Sequence, residues 1–179
     1  MKRIILGFIL TIITTITYAQ NEEHHVESED EHETKYKIAF TVGATHIPAA
    51  FEHGHEEDAV FVPTLGLDFF YHINHNWSLG LMADLELGEY IVDFGRENLN
   101  RDNALILALM AGYEVKPHWE ILLGGGIEIE SHKNLAVVRV GTEYEFPLAN
   151  HWNIAPAFFY DFKEEFNTWA LAIGISKRF

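Results

Sequence analysis

From Tyr36 onward, apolar and polar residues alternate one for one in run after run. A period of two puts successive side chains on opposite faces of an extended chain, so each run predicts a β-strand. The run beginning at Trp77 is the clearest. Trp77, Leu79, Leu81, Ala83, Leu85 and Leu87 share one face, and Ser78, Gly80, Met82, Asp84 and Glu86 share the other. A helix would scatter Asp84 and Glu86 among the leucines. The same alternation fills residues 36–44, 61–73, 105–115, 119–129, 136–146, 152–162 and 169–179. Each run is about ten residues or slightly more, the length a tilted strand needs to cross a bilayer. Pro156 falls inside a run, where it removes a ladder hydrogen bond, so a bulge is expected there.

The connections alternate as well. Residues 74–76, 116–118 and 147–151 read as tight turns. Between them lie the longer connections 47–60 and 88–103, then the shorter 131–134 and 163–167. Short turns on one side and longer loops on the other is the habit of outer-membrane barrels. Both termini then fall on the short-turn, periplasmic side.

Alternation alone does not say which face is outside. Two features place the apolar face outward, in lipid. The polar-parity face is rich in small residues, including Gly66, Gly80, Gly112, Gly124, Gly126, Gly141 and Gly174. These suit the narrow interior of an eight-stranded barrel. Aromatics on the apolar face gather at strand ends. Trp77, Trp119 and Trp152 each follow a tight turn, with Tyr36, Tyr71, Tyr113 and Tyr144 at the same level. Tyr90, Tyr160, Phe162 and Trp169 are expected to mark the opposite rim. Two aromatic girdles at the bilayer interfaces account for this arrangement. Lys177 shares the lipid-facing parity near one end, where a long side chain snorkels.

The turn-plus-tryptophan openings HNWSLGL, KPHWEIL and NHWNIAP, and the last strand TWALAIGISKRF, resemble the small outer-membrane β-barrel family of OmpA/OmpX type. The resemblance covers residues 35–179. It implies an all-β fold, an eight-stranded antiparallel up-and-down transmembrane β-barrel in the outer membrane of a Gram-negative-type envelope. It also implies that the barrel assembly machinery reads the terminal aromatic Phe179 during biogenesis.

Composition adds the ends. Residues 1–19 read as a cleaved signal peptide, with Lys2 and Arg3 ahead of an apolar run and a small-x-small site before Gln20. Residues 20–34 are an acidic, histidine-bearing stretch expected to be a disordered tail. The chain of 179 residues carries a net charge of −15 and no cysteine. That argues against nucleic-acid partners and excludes disulfides and thiolate metal sites.

Inside the barrel, the inward parity carries Asp68, Asp84, Glu86, Glu114, Glu128, Glu130, Glu143, Glu145 and Asp161 against Arg139, Arg178 and Lys116. Buried charges must pair or be hydrated, and Arg139 is expected to be the hub. A cluster of Arg139, Arg178, Asp84, Glu86, Glu128, Glu143 and Asp161 reads as a polar plug that fills and rigidifies a porin-like barrel.

Two other chemistries are open. There are 11 histidines. His53 and His55, with Glu52, Glu56 and His46, form a His-x-His loop able to hold Zn²⁺, Cu²⁺ or Ni²⁺, and His24, His25 and His32 form a second set in the tail. Ser131-His132 beside Glu130 raises a lipid-modifying hydrolase, though adjacency in sequence is weak ground for a triad. The leading expectation is a non-enzymatic barrel in contact with outer-membrane lipid, with a structural role or a surface partner. It needs no cofactor.

Overall fold

The computed structural model describes residues 34–48, 50–51, 59–93 and 98–179. The signal peptide and the tail up to residue 33 fall outside these residues. Residues Thr34–Phe179 form one compact unit.

Eight long strands build the barrel: β1 (Tyr36–Pro48), β3 (Ala59–His72), β4 (Trp77–Glu86), β7 (Leu105–Lys116), β8 (Trp119–Ile129), β9 (Leu135–Tyr144), β11 (Trp152–Lys163) and β12 (Asn167–Arg178). Each pairs antiparallel with its neighbours in the order β1-β3-β4-β7-β8-β9-β11-β12, and β12 closes on β1. Closure leaves no edge in the wall, as a spanning sheet requires. The three tight turns and the girdle tryptophans stand where the alternation puts them, with the Trp77 and Tyr113 rings 4.9 Å apart. Lys177 lies 5.2 Å over the Trp152 ring, which anchors it on the outer surface.

Burial follows parity. Ile38, Phe40, Leu67, Leu79, Leu123 and Ile173 are exposed on the outside. The inward glycines are required by close approach. A Cβ at Gly80 would enter the Phe70 ring, and one at Gly112 would collide with the Glu120 carboxylate.

Three expectations need correction. The connections 47–60 and 88–103 are not wholly irregular. They contain β2 (Ala50–Phe51), β5 (Glu89–Asp93) and β6 (Asn98–Asp102), a small sheet in the order β2-β5-β6. Pro156 makes no bulge. The β9–β11 ladder stops at Ala157↔Glu143 and resumes, in unchanged register, as Ile154↔Phe146 on β10 (Phe146–Pro147). The missing N–H is met by a gap in the ladder instead of an extra residue. The register shift lies elsewhere, in β7 between Glu114 and Lys116. Finally, Tyr90 is not a girdle residue. It is 1% exposed and its hydroxyl donates to Glu86 at 3.1 Å.

Candidate functional site

The β5–β6 hairpin alternates like a strand pair with one wet face. Tyr90, Val92, Leu99 and Arg101 point down, while Glu89, Asn100 and Asp102 are exposed. The downward face packs with Ile47, Ala50, Val60, Val62, Leu135 and Phe166 into an apolar cap at the long-loop end. Tyr90 brings a hydroxyl into this cap, and burial followed by the neighbouring Glu86 pushes its phenol up, so it serves as a donor.

Beneath the cap the lumen is filled with charge. Arg101 reaches Glu128 at 2.5 Å, Glu130 at 3.3 Å and the Lys133 carbonyl at 2.5 Å. Lys163 lies 2.5 Å from the same Glu128 and 3.6 Å from Glu86. Glu128 meets both cations as close charges, outside hydrogen-bond alignment. Deeper, Arg139 grips Asp161 with two nitrogens at 2.7 and 2.8 Å and donates to Asp84 through a third. Such a forked pair is the strong geometry for a buried guanidinium. An apolar layer of Phe70, Met82, Met110, Leu122 and Phe159 follows. At the short-turn end Lys37 pairs with Glu143, with Glu145 at 3.0 Å and with Glu120 at 3.5 Å, and Arg178 donates to Glu145 at 2.6 Å.

Each of the deeper cations also lies on an aromatic face. Lys37 is 4.7 Å from the Phe70 ring centre, Arg139 5.2 Å from Phe159, Lys163 5.0 Å and Arg101 5.8 Å from Phe166. Cation–π contact is strongest where water is excluded. Lumen space beside Arg139 is a cavity of about 10 Å³, room for one water. Asp68 is the exception in this network, 3% exposed with one carboxylate oxygen unpartnered among the described residues.

The seven residues expected in one charge cluster are divided among three groups: Asp84 and Asp161 on Arg139, Glu86 and Glu128 on Lys163 and Arg101, and Glu143 and Arg178 in the group around Lys37 and Glu145. Arg139 is a hub. It is one of three, since Lys37 and Arg101 gather carboxylates too. Lys37, Glu120 and Lys163 escaped the reading although each neighbours an outward aromatic and so has inward parity. Arg101 gave no such signal, because it enters from the cap and not from a barrel strand. Lys116 is a correction: it sits exposed at the rim, 5.9 Å over Trp119, because the shift in β7 releases it from the inward face.

Ser131, His132 and Glu130 do meet, but without a relay. The Ser131 hydroxyl donates to Glu130 Oε1 at 2.6 Å and lies 3.1 Å from His132 Nδ1, and that same Nδ1 is 2.8 Å from Oε1. A nucleophile relay needs the serine on one ring nitrogen and the acid on the other. Here one nitrogen serves both, so the cluster is a turn lock. Burial would raise the Glu130 carboxyl, but hydrogen bonds from Ser131, His132 and the backbone N–H groups of His132 and Lys133 outweigh it and hold it at about 2. Its folded value lies below its ordinary one of 4.5, so its contribution is complete above pH 4.5 and disappears as pH falls toward about 2. Glu130→Gln should therefore be less stable than the parent in urea unfolding at pH 7, with the gap shrinking as pH falls from 4.5 toward about 2. A gap unchanged by pH would remove this role.

Of the metal candidates, His53, His55, Glu52, Glu56, His24, His25 and His32 lie outside the described residues. His46 is described, and it stacks on Trp169 at 4.7 Å and meets Phe61 edge-on at 4.9 Å. Its setting is the aromatic rim. Among the described residues no three His, Asp or Glu side chains gather at metal-ligand spacing.

No protein-family model matches the chain. No curated protein matches it in sequence. Solved structures do match in fold. The crystal structure of Neisserial surface protein A superposes with a TM-score of 0.56 at 9% identity, covering 80% of this chain and 97% of that one. The outer membrane protein OprG from Pseudomonas aeruginosa gives 0.48 at 14% identity, covering 82% and 97%. Ail, the attachment invasion locus protein of Yersinia pestis, gives 0.47 at 13% identity, covering 82% and 99%. The chain has the fold of a small, closed, eight-stranded transmembrane β-barrel.

Proposed function

We propose that this protein is an integral outer-membrane barrel, closed to solute, that supports a non-enzymatic structural or surface-interaction role at its long-loop end. The termini and short turns face the periplasm, and the apolar belt faces lipid. The observation that carries this reading is the filled lumen. Ion-paired layers brace the inside, an apolar cluster lies at the long-loop end, and the space beside Arg139 is about 10 Å³, which supports a closed lumen. Transport would need that column opened, at the cost of unpairing buried charges.

The test is reconstitution of the purified protein in planar bilayers. The expected result is a membrane without steady single-channel steps, together with heat-dependent migration on a denaturing gel. Porin-sized ohmic steps from the wild-type barrel would overturn the closed reading.

A further inference from the structure

The cap sheet ends in an unpaired strand. In the order β2-β5-β6, β6 bonds to β5 alone among the described residues. The Asn103 N–H donates to the Gly88 carbonyl at 3.1 Å, which fixes the phase of the hairpin. Bonded pairs in an antiparallel ladder recur every second residue, so Tyr90↔Arg101 and Val92↔Leu99 are the bonded pairs. The N–H and C=O groups of Asn100 and Asp102 therefore point away from β5, to the free edge. A concavity of about 300 Å³ is lined by Glu89, Tyr90 and Ile91 of β5, by Asn100, Arg101 and Asp102 of β6, and by His132. Glu89 and Asp102 have no ion-pair partner among the described residues, and Asp102 accepts only from the Asn103 side chain. Arg101, the one cation on β6, is turned down into the lumen and spent on Glu128 and Glu130.

An exposed edge is a template for another strand, and natural edges are usually guarded by lysine, proline or a bulge. Described β6 residues carry none of these guards on the exposed face. We propose that the β6 edge takes up an extended polypeptide segment bearing basic side chains, which adds as a further strand to the cap sheet and places lysine or arginine beside Asp102 and Glu89. Backbone pairing supplies affinity, and the two carboxylates select charge. The inference deepens the surface-interaction reading and rests on it for the exposure of this end. Binding is measured in detergent, so its outcome is separate from the conductance test.

The probe is a short capped peptide of alternating lysine and valine, labelled for anisotropy and titrated into the full-length protein in micelles. Saturable binding is expected, with amide-exchange protection at Asn100 and Asp102. Asn100→Pro removes the outward N–H while sparing the β5–β6 ladder bonds, and should weaken binding about tenfold or more, with the folded gel migration retained and β5–β6 amide protection unchanged. Glu89→Gln with Asp102→Asn should weaken it by about tenfold through charge. The proposal is overturned if the peptide does not bind, if Asn100→Pro binds as wild type, or if an alternating glutamate–valine peptide binds equally well. Self-association of the protein without peptide, abolished by Asn100→Pro, would assign the edge to a second copy and also overturn it.

Discussion

Arg139→Ala is expected to cost the barrel about 3–5 kcal/mol, the scale for removing one partner from a buried ion pair. Arg139 is 2% exposed, Asp84 6% and Asp161 4%, so water does not screen the two carboxylates left behind. The substitution also strips the Phe159 face of its cation. The readout is the urea midpoint in lipid vesicles, with the temperature at which the compact gel form disappears. Removing the charges together is a different case. Arg139→Met combined with Asp84→Asn and Asp161→Asn should recover most of the loss, because replacing a whole buried network is often near neutral. A single variant as stable as the parent would show that water reaches this layer.

The second large effect is expected at the cap. Arg101 is 1% exposed and ties β6 to Glu128, to Glu130 and to the Lys133 carbonyl. Arg101→Ala leaves Glu128 with Lys163 alone and Glu130 with its turn donors, while the barrel wall keeps its ladder. The hairpin should loosen locally by about 3 kcal/mol, seen as roughly a hundredfold faster amide exchange in β5 and β6 with little change in the barrel strands. Transient conductance steps, absent from the parent, should accompany it. Equal acceleration in β5–β6 and in the wall would mean that the hairpin is part of the global fold and not a separable lid.

The wall was legible in the sequence because one rule governs it. Every residue of a two-faced strand declares its side by parity, and lipid outside a narrow lumen makes the two faces differ sharply in size and polarity. Trp77 to Glu86 needed nothing more. Parity also places Lys37 and Glu120 inward, while Lys163 is the last residue of a strand that the alternation ends at Phe162. What parity does not supply is depth or partner. That Lys163 reaches Glu86, or that Lys37 collects three carboxylates, depends on strand stagger and tilt, which tight turns and one shift in β7 determine. The cap was illegible for another reason. Its strands are at most five residues long and bury one face on the barrel mouth, so Tyr90 and Arg101 obey a local alternation that only the hairpin geometry reveals.

The ion pairs have a mechanical meaning as well. Around the ring of strands, β1 and β8 stand diametrically opposite, as do β4 and β11. Lys37 to Glu120 joins the first pair and Lys163 to Glu86 the second. These contacts act as spokes across the hollow of a wheel. A rim held only by neighbour-to-neighbour bonds flattens easily under lateral pressure from lipid, whereas a spoked rim resists becoming oval in either direction. The ladder gap at Pro156 can then be tolerated, since parting that seam would stretch spokes anchored on other strands. Loss of shape should come in one step, when the spokes fail together.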